Sequence, residues 1–141
     1  SPALNIMGAV SLLDPKIMSG ENQGKTPDMA AKKTASLFAH YRLTDDVELS
    51  GGFSYIGERI AYGVGAGLDG EGDNNEYFTL NAYTSVDFGV TYHFDAFGTA
   101  NQFQLSVTNL FDEFYYTSVL GGTRLNPAEG RSITGRIGIE F

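Results

Sequence analysis

Hydrophobic and polar residues alternate along this chain with a period of two, the spacing that sends successive side chains to opposite faces of a β-strand. Val86, Phe88, Val90, Tyr92 and Phe94 alternate with Ser85, Asp87, Gly89, Thr91 and His93. Phe103, Leu105 and Val107 alternate with Gln102, Gln104, Ser106 and Thr108. Val47, Leu49, Gly51, Phe53 and Tyr55 alternate with Glu48, Ser50, Gly52 and Ser54. Leu37, Ala39, Tyr41 and Leu43 alternate with Ser36, Phe38, His40 and Arg42, where Phe38 breaks the polar row. Near the C-terminus Ile133, Ile137, Ile139 and Phe141 share a face with Gly135, against Ser132, Thr134, Arg136, Gly138 and Glu140. Leu4 to Leu13 is apolar on both faces and is the least defined segment. The pattern predicts about six strands of roughly ten residues, where a globular strand usually has ~5–6 and a bilayer-spanning strand ~9–11.

The connections alternate in length. Asp14 to Ala31, Glu58 to Ala82 and Asp112 to Arg131 are long; Thr44-Asp45-Asp46 and Asp95 to Ala100 are short. In an up-and-down barrel, odd and even connections lie at opposite ends, and outer-membrane barrels keep short turns on one side and long loops on the other. A sandwich has no reason to segregate them. The expected fold is therefore all-β: about six long antiparallel up-and-down strands forming a segment of a transmembrane β-barrel. With the last strand descending, Tyr41, Phe94 and Phe141 fall near the short-turn end, and Tyr55 and Phe111 near the other. Interfacial aromatic girdles place such residues at both ends; the plain preference of Tyr and Phe for strands is the alternative, and it does not explain the consistent placement by end.

Composition changes this picture little. The 141 residues include 18 glycines, 8 tyrosines, 10 phenylalanines and no cysteine, which suits a turn-rich β chain and excludes disulfides and thiolate metal sites. A net charge of −8 argues against nucleic acid, since phosphate neutralisation needs clustered cations and Lys32-Lys33 is the only basic pair. No apolar run approaches a transmembrane helix, which leaves strands as the way to cross a membrane. Ser1-Pro2 is not a charged-then-apolar leader, so the N-terminus is expected to be processed or cut away.

Two stretches are specific. The terminal run Arg136-Ile137-Gly138-Ile139-Glu140-Phe141 ends on an aromatic with apolar residues at alternate positions before it. It resembles the C-terminal signal read by the outer-membrane assembly machinery, with Phe141, Ile139 and Ile137 as its apolar side chains. Strand addition at an open edge gives that reading its physical sense. The run from Gln104 to Tyr116, through Val107-Thr108-Asn109-Leu110-Phe111-Asp112 and Tyr115-Tyr116, resembles the penultimate-strand motif of TonB-dependent siderophore receptors. Tyr83 to Phe94, Phe38 to Leu43 and Gly51 to Gly57 are similar to the strands before it, so the resemblance covers most of the chain and departs in the loops.

The resemblance implies a parent barrel of about 22 strands around a plug. Residues 1–141 would be its C-terminal portion, with the plug domain and earlier strands outside this sequence. It implies residence in the outer membrane of a Gram-negative bacterium, among bilayer lipid and lipopolysaccharide. It also implies a ferric siderophore or similar chelate as transported ligand, and energy delivered by the TonB complex through the plug. Six strands are fewer than the smallest closed barrel and leave two unpaired edges.

Other motifs are weaker. Gly65-Ala66-Gly67-Leu68-Asp69-Gly70 matches a dinucleotide fingerprint, but the acidic stretch Glu71 to Glu76 follows where a helix is required. Asp69, Glu71 and Asp73 space like calcium ligands, but Asn74 and Leu80 stand where the loop needs Gly and Glu. His40 and His93 lie on the polar rows and read as lumen filling, without a metal-ligand spacing. Asp87, Arg42, Arg136 and Glu140 are candidates for lumenal ion pairs. No nucleophile–base arrangement is present, so no enzyme and no catalytic residue is expected. Tyr115 and Tyr116, at the top of the fifth strand, and Arg124 in the next loop are the candidate ligand contacts. Aromatic rings stack on a chelate and a cation meets its negative charge. The competing readings are a small porin-like barrel and a soluble β-sheet carbohydrate-binding module.

Overall fold

The computed structural model describes residues 3–20, 22–62, 77–120 and 124–139. Its backbone follows the period-two pattern. Six strands, β1 (Leu4–Leu12), β2 (Lys33–Arg42), β3 (Val47–Ile56), β6 (Tyr83–Ala96), β7 (Thr99–Thr108) and β10 (Ser132–Gly138), form one antiparallel sheet in the order β1-β2-β3-β6-β7-β10. The remaining strands are short and sit in the long connections: β4 (Arg59–Tyr62) pairs with β5 (Tyr77–Leu80), and β8 (Tyr116–Leu120) with β9 (Arg124–Pro127). The sequence pattern had not revealed these two hairpins.

The register aligns the apolar rows across the sheet. Leu37 pairs with Phe53, Phe53 with Val86, Phe88 with Val107, Tyr92 with Phe103, and Val107 with Ile133. β1 joins the same row, with Ile6 opposite Ala39 and Val10 opposite Ala35. Its other face is mixed, Asn5, Met7, Ala9 and Ser11; Met7 lies opposite Phe38, which in turn faces Gly52. Met7, Phe38 and Gly52 make a local apolar spot on an otherwise polar face.

Among the described residues nothing covers the common apolar face. Val10 is 74% exposed and Ile133 66%. Among the described residues the only buried hydrophobic side chains are Ala61 and Leu80, neither of them in the six-stranded sheet. A soluble sandwich places a second sheet over such a face; an exposed apolar face of this extent is the outer wall of a membrane barrel.

The long connections all leave one end of the sheet and the tight turns the other. At the tight end, Thr44 Oγ1 accepts from the backbone N–H of Val47 at 3.0 Å, closing the β2–β3 turn. The β6–β7 connection is tighter than the expected Asp95–Ala100 loop. Ala96 pairs with Thr99, leaving Phe97 and Gly98 at φ 58° and 79°, the geometry of a type I′ hairpin turn. Asn101 Nδ2 donates to the carbonyls of Ala96 and Thr99 at 3.0 and 2.8 Å and holds it.

The polar face carries a cluster near the same end. His40 Nε2 lies 3.2 Å and His93 Nε2 3.8 Å from Glu48 Oε2, with Arg42 Nε 3.6 Å from Oε1. Arg42 thus pairs with Glu48, and Asp87 serves a backbone amide rather than an ion pair. Glu140 and Phe141, the glycine motif at 65–70 and the acidic residues Asp69, Glu71 and Asp73 lie outside the described residues.

Candidate ligand-binding rim

The motif from Asn109 to Asp112 is a structural knot above β7. Asn109 and Asp112 both take positive φ, 51° and 55°, and Asp112 N–H donates to Asn109 O at 2.9 Å. Asn and Asp tolerate this conformation best among side-chain-bearing residues. The Asn109 amide is buried; its Nδ2 donates to Glu113 O at 2.9 Å, and its Oδ1 accepts from Glu113 N–H at 3.0 Å. Asn109 N–H donates to Asp87 Oδ1 at 2.9 Å, tying the knot to β6. Asp112 Oδ1 accepts from Arg131 N–H at 2.8 Å, tying it to the start of β10. The Asn109 to Asp112 part of the most specific stretch therefore builds a structural tie between β6, β7 and β10, with the aromatic residues of the stretch just beyond it.

Those neighbours follow at once. β7 stops at Thr108, so Tyr115 is not the top of that strand but the lead-in to β8. Its ring stacks on Tyr83, the first residue of β6, with centroids 3.8 Å apart and planes 10° from parallel. Tyr116 meets Phe114 edge-on at 5.2 Å. Phe114, Tyr115, Tyr116, Leu80 and Leu125 line a cavity of about 240 Å³ between the two loop hairpins. Arg124 is exposed and pairs with Leu120 at the far end of the β8–β9 ladder from Tyr116, roughly 13 Å along the strand. The structure brings the two tyrosines together and leaves Arg124 at the hairpin tip. Of the residues expected to form an assembly signal, Ile137 is exposed on β10 opposite Phe103, and Ile139 is exposed just beyond the strand.

A residue the sequence reading missed lies beneath the tyrosines. Arg59, in β4, is 5% exposed. Its Nη1 and Nη2 donate to the carbonyls of Thr117 and Tyr116, each at 2.7 Å, and its guanidinium carbon lies 5.4 Å from the centre of the Tyr83 ring. Among the described residues no group of His, Cys, Asp and Glu suited to a metal ion occurs.

No family model matches the chain. It is 27% identical over 138 residues to the metal-pseudopaline receptor CntO of Pseudomonas aeruginosa PAO1, covering 93% of this chain and 18% of that protein. The ferric-catecholate import receptor Fiu of E. coli K12, in its open form, is 25% identical with a TM-score of 0.66 over 94% of this chain and 18% of its own. BauA, the ferric preacinetobactin receptor of Acinetobacter baumannii, shares the fold at a TM-score of 0.75 and 20% identity, over 96% of this chain and 19% of its own. The chain thus spans less than a fifth of the length of these relatives.

Proposed function

We propose, from the premise that this chain matches the C-terminal barrel strands of TonB-dependent outer-membrane receptors, that the whole protein takes up a ferric siderophore or similar metal chelate. The observation that carries the reading is the aromatic cavity of Phe114, Tyr115 and Tyr116, set at the long-loop end of a wall whose apolar face lies outward. In this account the loops face the exterior of a Gram-negative cell and the tight turns face the periplasm. Residues 1–141 form the last strands of the barrel, and a plug domain that contacts TonB lies elsewhere in the protein. Ile137, Ile139 and Phe141 present the terminal strand to the assembly machinery, and the outward face meets lipid and lipopolysaccharide.

Tyr115 and Tyr116 supply flat, amphipathic surface for a chelate, and Arg124 supplies charge from the hairpin tip. Fluorescence titration of the full-length receptor in detergent with iron(III) catecholate, hydroxamate and carboxylate chelates tests this. One class is expected to bind, and Tyr115→Ala to weaken it by about tenfold, the upper range of an aromatic contact. Failure of every chelate class to bind, or binding indifferent to Tyr115→Ala and Tyr116→Ala together, contradicts the reading.

A further inference from the structure

The β8–β9 hairpin contains two features that strip it of backbone donors. Its register shifts between Tyr116 and Ser118, so Thr117 is the extra residue of a bulge. Tyr116 lies opposite Pro127, which has no N–H to give. The carbonyls of Tyr116 and Thr117 are those that Arg59 takes, at 2.7 Å each. A planar guanidinium meets two adjacent acceptors at once, which a lysine ammonium on its flexible stem does not. The same group lies over Tyr83, a residue paired with Ile56 of β3 and so fixed to the wall, and Tyr83 stacks on Tyr115. Among the described residues Arg59 has no carboxylate partner, and its buried Nε donates to nothing. Burying a cation costs free energy, which the two carbonyl bonds offset.

We propose that Arg59 is the positioning residue of the rim. It clamps β8 onto β4, so the paired strands of the two hairpins move as one body, and it fixes the pitch of the Tyr115 ring through Tyr83. The clamp stands on geometry alone; its consequence for ligand binding rests on the function proposed above.

Two measurements on the full-length receptor separate these parts. Hydrogen exchange without ligand should show amides at 116–120 exchanging about tenfold or more faster in both Arg59→Ala and Arg59→Lys, with β2, β3 and β7 unchanged. Unchanged exchange at 116–120 overturns the clamp, and faster exchange throughout the wall overturns it as a local device. A double-mutant cycle in chelate affinity then reads the positioning role. Arg59→Ala should weaken binding in the parent yet add less than about twofold in a Tyr115→Ala background. An equal loss in both backgrounds means that Arg59 acts independently of Tyr115 and overturns that role. If Tyr115→Ala alone leaves affinity unchanged, the ligand reading falls, and the exchange result by itself decides the clamp.

Discussion

Leu105, in the middle of β7, and Leu80, at the end of β5, are the same residue type in opposite settings. Leu105 is 40% exposed on the outward face of the wall, and Leu80 is 4% exposed in the rim. The wall is built inside out: its apolar rows face outward and its polar rows, with Glu48, His40 and His93, face the other way. The rim is built more as a water-soluble protein is, with Ala61 and Leu80 inside, although Phe111 and Phe114 stand exposed at its edge. One chain thus changes its burial rule where the six strands end, which is where the proposed receptor would pass from lipid to water. The rim makes its own small core, whereas the wall has two edges, β1 and β10, that pair with no other described strand; in the proposed receptor, lipid and further strands complete it.

Leu105→Arg probes the contrast most severely. A cation near the bilayer midplane should destabilise the full-length barrel by about 3 kcal/mol in urea unfolding from lipid vesicles, while Gln104→Arg on the other face changes it by under ~0.5 kcal/mol. Leu80→Ala should cost about 2–3 kcal/mol, but locally: exchange in β4 and β5 rises while the unfolding midpoint of the wall stays put. Asn109→Ala leaves the Glu113 amide and carbonyl unpaired and puts alanine at positive φ. It should cost about 2 kcal/mol, read as faster exchange at 109–113 and at the start of β10. The smallest effect is a gain. Phe97 is 93% exposed at φ 58°, so Phe97→Asn removes strain without losing packing. A rise of about 1 kcal/mol in barrel stability is expected from the same urea titration.

The wall was legible in the sequence because alternation over ten residues leaves no other period to fit. β1 was blurred, since Met7 and Ala9 occupy inward positions, Met7 beside Phe38. The rim hairpins were not legible. β4, β5 and β9 have four residues each, too short for a period to show, and β9 ends on Pro127, which ordinarily argues against a strand. The two-residue turn was hidden because Phe97 is a poor residue for positive φ. Tyr115 and Tyr116 were visible as aromatics beside a specific motif, yet the sequence could not show that Tyr115 stacks on Tyr83 from 32 positions upstream. Arg59 carried no pattern in the sequence, lying inside the long Glu58 to Ala82 connection. Its only signal was remote: a proline in β9 that denies Tyr116 a donor.

In a barrel wall the outward rows meet lipid and the inward rows do not. The chain has no cysteine, so single cysteines can be placed in it on a cysteine-free full-length background and spin-labelled in reconstituted vesicles. Collisional accessibility would be read at successive positions from Gln102 to Thr108. The prediction is a period of two: Phe103, Leu105 and Val107 accessible to oxygen and shielded from a water-soluble nickel chelate, with Gln102, Gln104, Ser106 and Thr108 not oxygen-exposed in this way. Uniform access of the nickel chelate to both rows would mean that the sheet stands in water, and the barrel reading would be wrong.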